Sequence, residues 1–309
     1  MATETTVRTL RGAQADTVRA RTPLQNMWRR LRHHHSAQVG SAILAVLVFL
    51  AVFAPVIAPY DPLVPLADSP RRTPPCIHLL GCPASQPEHI FGLDGNSRDL
   101  FSRVLYGAQL SLKIGLVTIS FGILVGAILG AVAGFAGGWA DNVIMRLMDV
   151  LLAFPALLLA IAIMSMLGTG LINALIAIAI VSIPVYARVL RSRVLEVKQR
   201  EFVTAARSIG VLPLRILWVH VLPNSIAPLI VQGTLGIAAA VLSAASLSFL
   251  GLGAQPPTPE WGMMLGEERN SIFNAPHLVV FPGLAIMLTV LGFNLLGDGL
   301  RDVLDPRLD

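Results

Sequence analysis

Charge is scarce in this chain: 13% of its residues are Asp, Glu, Lys or Arg, against about 25% in soluble globular proteins. That shortage excludes an ordinary water-soluble domain. Aromatic residues are few, 6%, and short alternating segments are missing, which argues against an outer-membrane barrel. The sequence contains no phosphate-cradling P-loop and no His-Glu-x-x-His pair. Its apolar runs are short of ionisable groups: Lys113, Asp149, Arg188 and Asp298 all read as lying near span ends. Ser243, Ser246 and Ser248 have no buried histidine or acid beside them in their run. Intramembrane enzymes and proton-driven carriers usually need such groups, so the chain is expected to catalyse nothing itself. No early apolar stretch carries a cleavage site, so no removed signal peptide is expected. The net charge of +5 does not by itself imply nucleic acid; where the basic residues lie matters more.

What the chain has is apolar length. Hydrophobic residues make up 54%, the mean hydropathy is +0.70, and several runs exceed about 18 residues. The reading is an all-α integral membrane protein with six transmembrane helices, over 39–58, 108–135, 143–167, 171–190, 224–250 and 277–297. Residues 1–38 form a first tail. Within it, 22–36 read as a basic amphipathic helix: Thr22 and Pro23 suit its start, Trp28 the interface, and Arg29, Arg30 and Arg32 anionic lipid. The adjacent His33, His34 and His35 point in different directions on a helix and suit a metal poorly. Polar loops fall at 59–107 and 251–276, and 298–309 form a second tail.

Six crossings place both termini on one side, and basic residues name that side. Arg8, Arg11, Arg19, Arg21, Arg29, Arg30, Arg32, Arg146, Arg188, Arg191, Arg193, Lys198, Arg200, Arg207, Arg215, Arg301 and Arg307 fall on one face. The other has only Arg71, Arg72, Arg98, Arg103, Lys113 and Arg269. The excess marks the cytoplasmic face, so both termini are expected there and the 59–107 loop outside. Cys76 and Cys82, the only cysteines, then sit in an oxidising compartment, which favours a disulfide. Free thiols are the alternative. A metal site is disfavoured, with His78 and His89 its only nearby ligands.

The stretch 198–223, KQREFVTAARSIGVLPLRILWVHVLP, is polar and basic between apolar runs. A segment this charged cannot sit in hydrocarbon. Two short helices with a turn at Gly210 are expected, because glycine ends a helix at low cost, with Pro213 in the first turn of the second. Ala205 and Ala206 would offer a flat surface to a packing partner. In the second span, Gly122, Gly126, Gly130 and Gly134 recur every fourth residue and suit close helix packing. A direct role in a solute path is the alternative. Gln232, Ser243 and Asn294 are polar groups in apolar surroundings, read either as path lining or as hydrogen bonds to a neighbouring helix. Asn96 or Ser97 is expected to cap a helix, with Asp99 and Arg103 paired at i,i+4. Pro256, Pro257 and Pro259 stiffen the 251–276 loop, and Trp261 suits an interface.

Ala205, Ala206 and Gly210, followed by Leu222 and Pro223, resemble the EAA loop of ABC importer permeases. Thr204 stands where that motif has glutamate, and His220 where it has isoleucine; Glu201 lies one turn earlier. The runs HIFGLDGNSRDLFSRVLYGAQLSL (89–112), SLSFLGLGAQPPTPEWGMML (246–265) and NLLGDGLRDVLDPR (294–307) resemble the peptide-importer branch, and both ends of the chain resemble dipeptide or glutathione permeases. The 70–88 segment looks like an insertion. The resemblance implies a type I importer fold in the bacterial cytoplasmic (inner) membrane. It implies as partners a homologous permease in a heterodimer, two cytoplasmic ATPases holding ATP and Mg, and an extracytoplasmic peptide-binding protein, besides membrane lipid. This chain itself would hold no cofactor and no metal and bind no nucleic acid. The 198–223 loop would couple to the ATPases through Ala205, Ala206 and Gly210 in close contact, with Glu201 and Arg207 at the rim and Thr204, Leu222 and Pro223 in the same coupling set. Pro256, Pro257 and Trp261 would lie near the binding protein, a plain structural re-entrant loop being the alternative. A permease for another solute, such as a nickel chelate, and a stand-alone secondary transporter are the alternatives.

Overall fold

A computed structural model describes residues 34–67, 69–83 and 85–304. The basic helix expected over 22–36 lies outside these residues up to His33, as does Arg307. Five long apolar helices are long enough to cross a membrane: α1 (His35–Val52), α3 (Leu100–Ala136), α6 (Leu171–Val197), α9 (Ala227–Phe249) and α11 (His277–Leu304). The short α2 (Ala54–Ile57) extends α1 after a break at Phe53. Each apolar run is helical because in hydrocarbon only a helix satisfies its own backbone.

The expected third span departs from a single crossing. It consists of α4 (Gly138–Leu152) and α5 (Ala156–Leu167), bent by 93° at the break between them. Pro155 explains the break: it cannot donate a backbone hydrogen bond, and it disfavours helical geometry in the preceding residue. Hydropathy alone runs across this point unchanged.

The centre of the bundle is the α3–α6 pair. A Cβ on Gly126 would lie 2.7 Å from Tyr186 Cβ and 2.8 Å from the Ile183 carbonyl. One on Gly134 would lie 2.9 Å from Val194 Cγ1 and 3.0 Å from the Arg191 carbonyl. Added atoms on Gly122 and Gly130 would run into the Ser182 hydroxyl and the Ala187 carbonyl. Four glycines one turn apart thus bring two backbones together along one seam. Helix α9 crosses the same pair, with Tyr186 buried against Gly236. Helix α11 packs on α9, and α1 packs on α11 where Gly40 meets the backbone of Gly292 and Leu296.

The two ends of the bundle differ. At one end the segment before α3 folds into a lobe against α10 (Trp261–Glu268). At the other lie α7 (Glu201–Ser208) and α8 (Pro213–Arg215), the latter running into a π-helical turn at Ile216–Val221. Helix α1 begins, and α11 ends, at this second end, where His34 meets Asp302 at 2.9 Å.

Candidate functional site: the helical elbow, the opposite lobe and the charged cleft

The elbow is built by local rules. Helix α7 ends in a reciprocal pair of bonds: Gly210 N–H donates to the Arg207 carbonyl and Val211 N–H to the Ala206 carbonyl, both at 3.1 Å. This Schellman closure needs a left-handed residue after the cap, and Gly210 has φ +82°. Leu212 then caps α8, with Pro213 in its first turn. The π-helical turn follows, with Leu222 N–H donating to the Leu217 carbonyl at 2.9 Å. Below the elbow, Val203, Ala206, Ile216, Leu217 and Val221 form an apolar cluster with Leu190, Val194 and Val197 of α6 and Ala131 of α3. Lys198 ties the same region down, its Nζ donating to the Phe135 carbonyl at 2.7 Å. The elbow is therefore docked on the α3–α6 pair as one rigid piece.

Its outer surface mixes polar groups with exposed apolar side chains. Ile209 is 82% exposed, Leu212 73%, Leu214 70% and Trp218 68%. Thr204, Ala205, Arg207, Gly210 and Pro223 are also exposed, as is Glu201, which has no ion pair among the described residues. Ala206 is different: it is only 7% exposed and belongs to the inner cluster. The expected two-alanine surface is therefore a one-alanine surface, because adjacent helical residues point about 100° apart. Leu222 is half-buried against the same cluster.

The lobe before α3 rests on charge pairs that sequence spacing mispairs. The cap of α3 is Asp99, not Asn96 or Ser97: its carboxylate accepts from Ser102 N–H at 2.8 Å. Asp99 therefore does not pair with Arg103. Arg98 donates to Asp94 at 2.7 Å and to Glu267 at 3.1 Å. Arg103, 1% exposed, lies 3.4 Å from Asp94 and donates to the carbonyls of Pro62 and Pro257 at 3.0 and 3.2 Å. Glu268 accepts from Gly95 N–H at 2.7 Å and from Arg72 and Ser271. The 251–276 loop and the 59–107 loop are thus one folded unit. Cys76 and Cys82 are joined by a disulfide, with Cα atoms 5.4 Å apart.

Trp261 corrects a second expectation. It is 1% exposed, and its indole N–H donates to the Val104 carbonyl at 3.0 Å, against Gly107. A tryptophan buried in this way is a core anchor rather than an interfacial surface residue. Pro256 and Pro257 remain exposed. Beside Trp261, the Glu260 carboxylate caps α10 through Met263 N–H at 2.8 Å. Burial pushes its pKa up, and the backbone N–H groups of Gly262 and Met263 and the Ser248 hydroxyl oppose the shift.

The three polar residues expected along the path do not gather in one place. Asn294 is exposed on α11, while Gln232 and Ser243 are half-buried on α9. None of the three makes a side-chain hydrogen bond among the described residues, so they do not pin neighbouring helices. The ionisable residues read as lying near span ends include a real cluster. Arg188 pairs with Asp149, and Arg191 pairs with Asp141, one of its two bonds being 2.6 Å. These pairs join α6 to α4, and Asp141, Asn142, Met145, Arg146, Asp149 and Arg191 line a polar cleft of about 500 Å³. The missed signal is WADNVIMRLMD, in which Asn142, Arg146 and Asp149 fall at i, i+4 and i+7, the spacing of one helix face.

A bundle of apolar helices with a rigid polar elbow at one end and a folded lobe at the other defines a multi-pass membrane permease. The chain belongs to the family described as binding-protein-dependent transport system inner membrane component, whose model matches residues 122–309. The N-terminal TM domain of oligopeptide transport permease C matches residues 22–75. The chain is 50% identical over 288 residues to the glutathione transport system permease protein GsiD of Escherichia coli O6:K15:H31 (strain 536 / UPEC), covering 93% of this chain and 92% of the relative. The GsiD of Shigella boydii serotype 4 (strain Sb227) matches to the same extent. Among solved structures, a chain of the inward-facing MetNI methionine ABC transporter has a TM-score of 0.54 at 19% identity. That match covers 67% of this chain and 97% of the other, and it bears on the fold.

Proposed function

We propose that this chain is the second-permease subunit of an ATP-driven, binding-protein-dependent importer of peptides, the class that includes dipeptides, oligopeptides and glutathione. It forms the translocation path with a homologous permease, and two partner ATPases bind ATP and Mg and carry the hydrolysis. Both termini and the elbow face the cytoplasm, and the outer lobe faces the binding protein. The likeness over nearly the full length to glutathione permeases supports the solute class. The basic residues concentrated at the elbow end support the orientation.

The observation that carries this reading is the elbow. Its inner face is packed into the α3–α6 pair, while its outer face presents Ile209, Leu212, Leu214 and Trp218 to water. Exposed apolar side chains clustered around a charged rim mark a protein-binding surface. A rigid elbow moves the helices behind it when a motor domain pushes it, which is how nucleotide binding switches the path between inward- and outward-facing states. Copurification with the neighbouring ATPases, followed by ATP hydrolysis stimulated by the loaded binding protein, tests the assembly. Solute uptake by the purified single chain, without nucleotide, would overturn it.

A further inference from the structure

We infer that the Asp141–Arg191 and Asp149–Arg188 pairs are the linkage that makes α4 follow α6 when the elbow moves, with Arg191 the positioning residue of that linkage. The inference rests on the importer reading, which supplies a moving elbow.

The elbow meets α6 along one stretch. The chain runs from Val197 through Lys198, Gln199 and Arg200 into α7, and the apolar cluster under the elbow takes Leu190, Val194 and Val197 from α6. Helix α3 meets the same turns through backbone. A Cβ added to Gly134 would lie 3.0 Å from the Arg191 carbonyl, and Lys198 holds the last turn of α3 through the Phe135 carbonyl. Close packing of this kind transmits displacement directly, so α3 needs no further tie to α6.

Helix α4 is attached differently. Of its fifteen residues only Met148 is fully buried, in a small cluster with Ile183 and Ala187 of α6. Its chain connections constrain it little. It begins after Gly137 and Gly138, at φ +68° and +56°, with nothing within 4 Å of a Cβ added to either. It ends at the break before Pro155, where the chain turns by 93°. Against this thin packing stand the two ion pairs. Arg191 Nε and Nη2 each donate to one oxygen of Asp141, the second at 2.6 Å, and Arg188 Nη2 donates to Asp149. The two acids lie about two turns apart on α4, so the pairs together fix both its position and its direction along α6.

The Asp141–Arg191 pair is the stiffer of the two. A planar guanidinium that donates twice to one carboxylate resists rotation about either bond. Its side chains are 32% and 17% exposed, against 50% and 51% for Arg188 and Asp149, so water and salt weaken it less. Arg191 follows Leu190, on which the elbow rests, so displacement of the elbow reaches Asp141 through one side chain. A helix left behind by α6 would leave the rearrangement of the bundle incomplete while the ATPases still turn over.

The test is a distance between spin labels on Trp139→Cys in α4 and Ser192→Cys in α6, both at exposed positions. It is read by dipolar electron paramagnetic resonance in the assembled transporter, without nucleotide and trapped with ATP and vanadate. Both native cysteines are tied in the disulfide, and the complex without the two new cysteines sets the background. We expect one narrow distance, the same in both states. Arg191→Gln broadens it and makes it differ between states. The same variant lowers uptake per ATP hydrolysed about fivefold, the effect of losing one well-formed pair; uptake is read with radiolabelled glutathione and dialanine. Charge exchange, Asp141→Arg with Arg191→Asp, recovers both readings. A distance that changes between states in the chain with Asp141 and Arg191 intact shows that α4 moves independently of α6, and it overturns the inference without any charge variant having to fold. Distance and uptake per ATP both insensitive to Arg191→Gln overturn the role of the pair. Uptake and hydrolysis lost in equal proportion by Arg191→Gln overturn it too, since destabilisation alone gives that result. Failure of the ATPases to copurify with the unaltered chain is read separately and strikes the importer reading instead.

Discussion

At the residue scale, small side chains decide most. Gly130 faces the Ala187 backbone, so an added Cβ has no flexible neighbour to displace. Gly130→Val is expected to destabilise the folded chain by about 1–3 kcal/mol, the usual range for overpacking. Gly283 has nothing within 4 Å of its added Cβ, so Gly283→Ala is the matched control. Thermal unfolding in detergent, followed by size-exclusion, compares them; equal midpoints would remove the close-packing account. Glu260 makes a pH prediction. Its pKa is raised in the fold, chiefly by burial, so its contribution is full below the unfolded carboxylate value. It is lost as pH rises through the folded value. Glu260→Gln should flatten that part of the stability–pH profile, and an unchanged slope would contradict it. Both residues look unremarkable in sequence, since burial is a property of neighbours far along the chain.

At the element scale, the elbow depends on one dihedral and one surface. Gly210→Asn keeps a residue that tolerates the left-handed region, whereas Gly210→Ala costs about 1–2 kcal/mol there. Nothing lies within 4 Å of an added Cβ at Gly210 in the single chain, so any larger loss must come from a partner. Gly210→Glu is expected to abolish uptake while the protein stays in the membrane. Normal transport by that variant would remove the docking surface. The helix–turn–helix of the elbow was readable because glycine and proline act locally. The break at Pro155 was less so, since hydropathy carries no direction and shows a bend of 93° as one continuous run. Likewise the i,i+4 rule pairs Asp99 with Arg103 and ignores a competing backbone N–H, whereas Ser102 donates both its N–H and its hydroxyl to the Asp99 carboxylate.

At the scale of the whole molecule, the two ends of the bundle are built differently. The lobe is internally cross-linked, by the Cys76–Cys82 bond and by the Arg98 and Arg103 pairs to Asp94 and Glu267. Thiol counting on the unfolded protein should find no free thiol before reduction and both cysteines after it. Free thiols before reduction would contradict the cross-link. Cys76→Ser with Cys82→Ser should leave the helical bundle intact, since the disulfide closes a loop confined to the lobe; a lost bundle by circular dichroism would show otherwise.

Membrane character and the elbow were decided by the sequence alone. Long apolar runs and a charged interruption leave the backbone only one way to satisfy itself in lipid and only water for the charges. Tertiary structure alone decided which alanine faces out, that Trp261 is an anchor, and that Asp141, Arg146, Asp149, Arg188 and Arg191 converge. Those outcomes depend on which helix faces meet across distant stretches of chain. A one-dimensional pattern gives a residue's spacing along its own helix but not what lies opposite it.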